Sequence, residues 1–356
     1  MTTTETIAVE KVKHSRLAET DFNNLEFGKY ISDHMLVVEY DNGKWGEPAI
    51  KPFGDMMLSP AMLSLHYGQS VFEGMKAFKN KEGDICIYRP DKHAKRLNKS
   101  LARMCMPEIP NEFFIQCLHA IVEFDKAWIP TSEGASLYLR PFVFACEPKI
   151  GVKIADQYKF IILTSPCAAY FSKPTRLKVE DTYVRAAEGG TGFAKCAGNY
   201  GGAFYPTQLA RQQGFDQVLW TDAKEHKYID EAGVMNVMFV INGKLITPKL
   251  TTALLDGVTR DSILTLAPGL DMEVEERKVS VAEIEEAFKQ GTITEAFGAG
   301  TAAVVSPIAT INIHGTDYHL PVADASSFQQ RVKTRLNNIR LGIEVDVHGW
   351  NYLIRL

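Results

Sequence analysis

Val234-Met-Asn-Val-Met-Phe-Val-Ile241, Asn242-Gly243 and Lys244-Leu-Ile-Thr247 follow one another as an apolar run, a two-residue turn and a second apolar run. Asn-Gly between two such runs is the strongest short-range hairpin signal, because both residues accept the positive φ that a type I′ turn demands. Around this hairpin the apolar spacing changes to the helical period, which predicts helices at 205–213, 260–267, 281–289 and 326–341. The first half shows the same mixture. Met35-Leu-Val-Val-Glu-Tyr40 reads as a strand entering the turn Asp41-Asn42-Gly43. Residues 90–104 place Ala94, Leu97, Leu101 and Met104 on one helical face, with Asp91 as candidate cap. Ser136-Leu-Tyr-Leu-Arg140 alternates and then meets Pro141, which predicts a strand with an exposed end. Phe160-Ile-Ile-Leu-Thr164 is a continuous apolar run, read as a buried strand that Ser165-Pro166 terminates.

The fold class is therefore α/β (α+β). At roughly 150 residues per domain, a chain of 356 residues divides into two. The expected boundaries are 1–168 for the first domain, 169–178 (AYFSKPTRLK) for a linker and 179–356 for the second. No repeat of solenoid period and no low-complexity tract interrupts them.

A formal net charge of −4, with Lys and Arg scattered, gives no basic footprint for a nucleic-acid backbone and favours a small-molecule partner. The apolar stretch at 160–171 is broken by Thr164, Ser165 and Pro166 and is shorter than the ~20 residues that span a bilayer, so no membrane segment is expected. MTTTETIAVEKVKH has neither the apolar core of a secretory signal nor the Arg-rich character of a transit peptide, and a cytoplasmic location is expected. Cys86, Cys105, Cys117, Cys146, Cys167 and Cys196 form no C-x-x-C and no zinc spacing; they read as small buried hydrophobes, and no metal is expected.

Lysine carries Schiff-base chemistry where desolvation or a neighbouring charge frees its amine. Lys195 lies in Thr191-Gly-Phe-Ala-Lys-Cys-Ala-Gly-Asn-Tyr200, where small residues on both sides leave room for a bulky ring. Taken alone, such a lysine is a solvated side chain beside a glycine turn. Its company changes the balance. Glu231 precedes the apolar strand and suits a protonated pyridine nitrogen, although alone it reads equally as a loop or capping carboxylate. Gly298-Ala-Gly300-Thr301-Ala302 and Asp256-Gly257-Val258-Thr259-Arg260 each set glycine beside a hydroxyl residue, and the second opens a predicted helix, as phosphate binding requires. Each alone reads as a tight turn. Arg96 is a candidate cation for that phosphate, against the ordinary reading of a surface helix arginine.

These segments resemble the branched-chain aminotransferases, of the fold type IV group of pyridoxal-phosphate enzymes. The resemblance runs over most of the chain, from Phe27-Gly28 and Asp33-His34-Met35 through Leu65-His66-Tyr67-Gly68, Phe72-Glu73-Gly74-Met75-Lys76-Ala77 and Tyr138-Leu-Arg140-Pro141 with Glu147-Pro148. It continues through Arg185-Ala186, Lys195, Gly198-Asn199-Tyr200, Glu231-Ala-Gly233, Gly257-Val-Thr-Arg260 and Gly298-Ala-Gly-Thr-Ala302. The resemblance implies a cofactor, pyridoxal 5'-phosphate, held between a smaller N-terminal and a larger C-terminal domain.

By the same resemblance Lys195 carries the cofactor covalently and shuttles the proton, Glu231 meets the pyridine nitrogen, and Tyr200 meets the ring hydroxyl with Arg185 nearby. Arg96, Thr301 and the amides of Val258 and Thr259 after Gly257 hold the phosphate. Phe27, Phe72, Tyr138, Tyr170, Thr301 and Ala302 line an apolar substrate pocket, and Tyr67, Arg140, Ile150 and Val152 reach in from the partner of a homodimer. The implied reaction is reversible ping-pong transfer of the amino group of L-leucine, L-isoleucine or L-valine to 2-oxoglutarate. The rivals are a D-amino acid aminotransferase or an aminodeoxychorismate lyase of the same fold type, and a cofactor-binding protein that has lost turnover. Two departures stand out: Ala303-Val-Val-Ser306 replaces the C-x-x-C thiol switch of larger animal members, and Val234 replaces a hydroxyl residue after Glu231.

Overall fold

The Asn242-Gly243 turn forms as its residues demand, with φ of 52° and 74° and Ile241 paired with Lys244 across it. The computed structural model describes residues 7–168, 173–302 and 304–356. In chain order the elements begin with β1 (Ala8–Val9), β2 (His34–Asp41), β3 (Lys44–Trp45), β4 (Ala49–Pro52), α1 (Leu63–Tyr67), β5 (Ser70–Phe72), β6 (Met75–Lys79) and β7 (Ile85–Tyr88). Then come α2 (Pro90–Arg103), α3 (Asn111–Phe124), β8 (Ser136–Ala145), β9 (Tyr158–Cys167), β10 (Thr175–Val179), α4 (Gly198–Gly201), α5 (Phe204–Gln212), β11 (Gln217–Thr221), β12 (Ile229–Ala232) and β13 (Met235–Ile241). The rest are β14 (Lys244–Pro248), α6 (Val258–Leu266), β15 (Val274–Arg277), α7 (Val281–Lys289), β16 (Ile293–Gly300), β17 (Val304–Ile313), β18 (Thr316–His319), α8 (Phe328–Arg340) and β19 (Asn351–Ile354). The four helices expected in the second half appear as α5, α6, α7 and α8, within one or two residues at either end.

The chain divides into two units, each with its own sheet. In the first, the strand order is β1-β4-β2-β9-β8-β6-β7-β19, with β3 on β2 and β5 on β8. Helices α2 and α3 pack their apolar faces on this sheet through Leu97, Leu101, Phe114, Leu118 and Ile121, all shut off from water. In the second unit the order is β12-β11-β10-β17-β16-β13-β14-β15, and β12 also pairs with β13. That extra pairing, Glu231 opposite Asn236 and Ala232 opposite Met235, closes the strands from β12 to β13 into a ring.

Several expectations are corrected. Pro141 does not end its strand; β8 runs on to Ala145, and Pro141 is buried. Its carbonyl accepts from the Glu73 amide at 2.7 Å, so its missing N–H falls at the break between β5 and β6, where the ladder is already interrupted. Pro166 likewise lies inside β9, opposite Leu137; β2 pairing stops at Leu163, so the strand is a partial edge there and tolerates a proline. Asp91 does not cap α2. Pro90 takes the first helical position after Arg89, and Asp91 sits in the first turn. Cys105 is exposed rather than buried, because it follows the end of α2 in the left-handed region, at φ 52°. Part of the expected linker is the strand β10.

The expected domain boundaries also differ from the two units. Besides the N-terminal part, the first unit takes in residues 194–197 and 340–356, while the second holds 173–193 and 198–339 of the described chain. The reason is pairing: β19 lies antiparallel to β7, from Asn351 opposite Tyr88 to Ile354 opposite Ile85. With these additions the first unit is not the smaller of the two.

The second unit's core centres on Phe239, fully buried on β13 among Val237, Ile246 and Ala296. Phe239→Ala is expected to cost about 3–5 kcal/mol, as for a large buried ring replaced by a cavity. Urea unfolding of the two proteins measures it, and a loss below about 1 kcal/mol would mean that the core refills the space.

Candidate active site

Lys195 is presented by alternation. Its neighbours Ala194 and Cys196 are buried in the first unit's core, at 1% and 2% exposure, which turns the lysine side chain the other way. The segment is fixed along the edge of β5: Phe72 N–H donates to the Lys195 carbonyl, and Ala197 N–H donates to the Ser70 carbonyl, both at 3.0 Å. The Lys195 amide in turn donates to Ser100 Oγ at 2.8 Å. The ammonium lies 4.9 Å from the centre of the Phe72 ring, within reach of a cation–π contact.

The anchor beneath it is a buried charge cluster. Glu73 has no exposure to solvent and receives Arg96 Nε at 2.7 Å and Nη2 at 2.8 Å, in the two-pronged geometry that suits a guanidinium and a carboxylate. His93 Nδ1 lies 2.7 Å from the same carboxylate. Burial pushes the Glu73 carboxyl up, but the charges and hydrogen bonds of Arg96 and His93 outweigh it and hold the group well below the usual carboxylate range. Ser100, four residues after Arg96 on α2, donates back to the Arg96 carbonyl at 3.0 Å while accepting from Lys195.

Neither Glu73 nor Ser100 was singled out from the sequence. The signals were there: an acid inside the apolar run Ser70-Val-Phe-Glu-Gly-Met75, and a serine on the same helical face as Arg96.

Phe27, Phe72 and Tyr138 form a chain of contacts that reaches Lys195 through Phe72, and Arg140, expected from the partner subunit, joins it from the same chain. Arg140 lies over Phe72 at 4.7 Å and over Tyr138 at 5.2 Å, and its Nη2 donates to the Tyr138 hydroxyl at 2.9 Å. Arg140 Nε is buried and has no hydrogen-bond partner among the described residues. Phe27 meets Tyr138 edge-on at 4.9 Å. Gly74 permits this packing, since a Cβ there would fall 2.1 Å from the Tyr138 hydroxyl. Tyr67, Ile150 and Val152 are exposed, the last two at 77% and 86%. Tyr170 lies outside the described residues.

In the second unit Glu231 is 3% exposed on β12. Its Oε1 accepts the Leu255 amide at 2.7 Å, and its Oε2 lies 3.3 Å from Arg185 Nε. Arg185 also donates through Nη2 to the carbonyls of Gly192, at 3.0 Å, and of Ala253. Gly192 cannot carry a side chain here, because a Cβ would stand 2.2 Å from the Ala253 carbonyl oxygen. Tyr200 is half-buried in the short helix α4, and Asn199 beside it grips Thr191, donating to its carbonyl at 2.8 Å and accepting from its hydroxyl at 2.7 Å.

The 256–260 segment does open a helix: α6 begins at Val258 after Gly257, and no side chain caps it. Val258 and Thr259 are buried at its first turn. Arg260 turns away, to the Pro248 carbonyl at 3.0 Å and to Glu276 at 2.7 Å. Gly298 and Gly300 belong to β16 rather than to a loop, where Met235 packs so closely on Gly298 that a Cβ would lie 2.5 Å from its Cε. Thr301 and Ala302 follow at the strand's end, half-buried. Within the second unit, a buried carboxylate with a cation beside it and helix-start amides that no side chain caps make a donor set that suits a protonated pyridine carrying a phosphate. Among the described residues no cluster of His, Cys, Asp or Glu suits a metal, and no helix is long and apolar enough to cross a membrane.

The family described as amino-transferase class IV matches residues 70–311. A Staphylococcus aureus protein named probable branched-chain-amino-acid aminotransferase is 45% identical over 339 residues, 94% of each chain. Branched-chain-amino-acid transaminase 1 of Bacillus subtilis is 43% identical over 335 residues, 93% of this chain and 94% of that one. Among solved structures, the branched-chain amino acid aminotransferase of Thermobaculum terrenum in its PLP form superposes with a TM-score of 0.74 at 23% identity, covering 91% of this chain and 99% of that one.

The second unit also holds an open cleft of about 520 Å³ lined by Glu188, Asp222, Asp230, Lys249 and Lys278, among others. Glu231 itself does not line it. Burial, with the Glu231 charge beside it, pushes the Asp230 carboxyl up to about 7, against a weaker opposing pull from Arg185. The unfolded chain therefore releases this proton near pH 4 while the folded chain keeps it to about 7, so stability falls as pH rises through that window. Asp230→Asn is expected to raise the melting temperature at pH 8 and to change it little at pH 4. Melting curves of both proteins across that range test this, and an offset independent of pH would refute it.

Proposed function

The chain belongs to the class IV aminotransferases, and from that premise we propose that it is a pyridoxal-phosphate-dependent branched-chain-amino-acid aminotransferase, moving the amino group of L-leucine, L-isoleucine or L-valine to 2-oxoglutarate. The observation that carries the reading is the Lys195 amine, held against the Phe72 ring that Arg140 also meets, on a segment anchored at both its amide and its carbonyl. The names of the relatives supply the substrate class.

Bound pyridoxal phosphate supplies an electron sink for the pair left at the substrate α carbon when its proton departs. Lys195 would hold the cofactor through its amine and then serve as both base and acid at that carbon. Glu231, held by the Leu255 amide and lying beside Arg185, suits a protonated ring nitrogen. Tyr200 would meet the ring hydroxyl. The first amides of α6, at Val258 and Thr259 after Gly257, suit the phosphate, with Thr301 and Arg96 as further donors.

Phe27, Phe72, Tyr138 and Ala302 would exclude water from the reacting carbon and give a branched aliphatic side chain an apolar wall. The reading extends to a homodimer in which Tyr67, Ile150 and Val152, apolar yet exposed, meet the partner subunit. Six free cysteines support a reducing, cytoplasmic setting.

An assay of amino donors against 2-oxoglutarate is expected to give 2-oxo acids from leucine, isoleucine and valine. Lys195→Ala should lose the covalent cofactor linkage and slow turnover by at least about 100-fold; near-normal turnover would overturn the assignment.

The same pocket must accept glutamate, whose distal carboxylate needs a donor that leucine can ignore. Arg140, with its Nε unengaged among the described residues, is that donor. Arg140→Ala is expected to weaken the glutamate and 2-oxoglutarate half-reaction by about 2–4 kcal/mol and the leucine half-reaction much less. Single-turnover rates of each half decide this, and equal losses would assign Arg140 a general role in the pocket.

A further inference from the structure

Asn236 sits at the seam where the second unit's sheet closes on itself, directly opposite Glu231. It is 5% exposed. Its Nδ2 donates to the Leu255 carbonyl at 2.9 Å and lies 3.4 Å from Glu231 Oε1. Leu255 is thus gripped at both ends of one residue, its N–H by Glu231 at 2.7 Å and its carbonyl by Asn236. Two residues on, Gly257 lies so close to Asn236 that a Cβ would stand 2.0 Å from the amide oxygen. Asn236 therefore touches both the carboxylate and the turn that launches α6.

We infer that Asn236 is a positioning residue that fixes the spacing between the carboxylate for the ring nitrogen and the amides for the phosphate. The inference rests on the proposed function, which gives Glu231 and the start of α6 those two tasks. A rigid planar ligand with an anionic tail needs both of its anchors at a set separation, and binding weakens when either has to be sought. The side chain must be a carboxamide, because one nitrogen has to offer two hydrogens to two acceptors. Aspartate keeps the shape but offers neither hydrogen and sets a second charge against Glu231; alanine leaves Glu231 short of a donor and Gly257 without its wall. Glycine is required at 257 for the same reason, since a side chain there would drive Asn236 off Leu255.

The test compares the apo and pyridoxal-phosphate-loaded forms of the wild type, Asn236→Asp and Asn236→Ala. Cofactor affinity is measured by titrating the apo protein, and the pH dependence of the bound cofactor's visible absorption is recorded. Both variants are expected to bind the cofactor at least tenfold more weakly and to shift the pH of the absorption change, because the Glu231 contact to the ring is loosened. Gly257→Ala should reproduce the weaker binding. Unchanged affinity and an unchanged absorption profile, with only the melting temperature of the apo protein lowered, would reduce Asn236 to a structural seam residue and overturn the inference. A wild type that fails to bind pyridoxal phosphate would instead overturn the proposed function. Should the aspartate variant not fold, the alanine variant carries the same measurements.

Discussion

A carboxylate sealed from water must be met by positive charge, and at Glu73 this requirement organises the first unit. An ion of this kind left alone would cost several kcal/mol, so Arg96 and His93 are drawn onto it, and both stand on α2. The pairing thereby fixes the helix against the point where β5 gives way to β6. Once α2 is fixed, so is Ser100 one turn further along, and its hydroxyl catches the backbone of Lys195. The lysine backbone is thus positioned through a helix that the Glu73 charge holds. The carbonyl of Pro141 closes the arrangement from below by accepting the amide of Glu73.

The second unit solves a related problem by other means. Glu231 is also buried, but its partners are a main-chain amide, a loop arginine and the seam of a closed sheet rather than a helix. Arg185 serves it from a loop and is itself held by two carbonyls, one of them beside a glycine that leaves no space for a side chain. Anchors of this type move little, since each is set by several bonds at once, and they suit a ligand that must be held in one orientation.

Local chemistry was legible in the sequence. The Asn242-Gly243 turn, the four later helices and the helix opening at Gly257 each depend on a few neighbouring residues, and each was found where expected. Lys195 and Glu231 stood out because their residue types sit in unusual surroundings, and the aromatic pocket entered only through family resemblance. What escaped was non-local. Pro141 and Pro166 read as strand ends because a proline's tolerance depends on what lies across the sheet, which the sequence does not reveal. Glu73, Ser100 and Asn236 gain their meaning from partners at separations of 5 to 95 residues. What the expected division missed for the same reason was the return of residues 340–356 to the first unit, since β19 is assigned by its pairing with β7 and not by its position in the chain.

That late strand has a consequence during biosynthesis. The ribosome makes β7 early, then the whole of the second unit, and only afterwards β19. Throughout that interval the nascent sheet carries an open, hydrogen-bonding margin at β7, of the kind that invites pairing with other chains. The second unit has no such debt and can condense as soon as α8 emerges, leaving the first to finish last despite being started first. Crowded translation, or a pause between α8 and β19, would therefore put this margin at greatest risk of misassembly, and chaperones that shield exposed strands would act on it there.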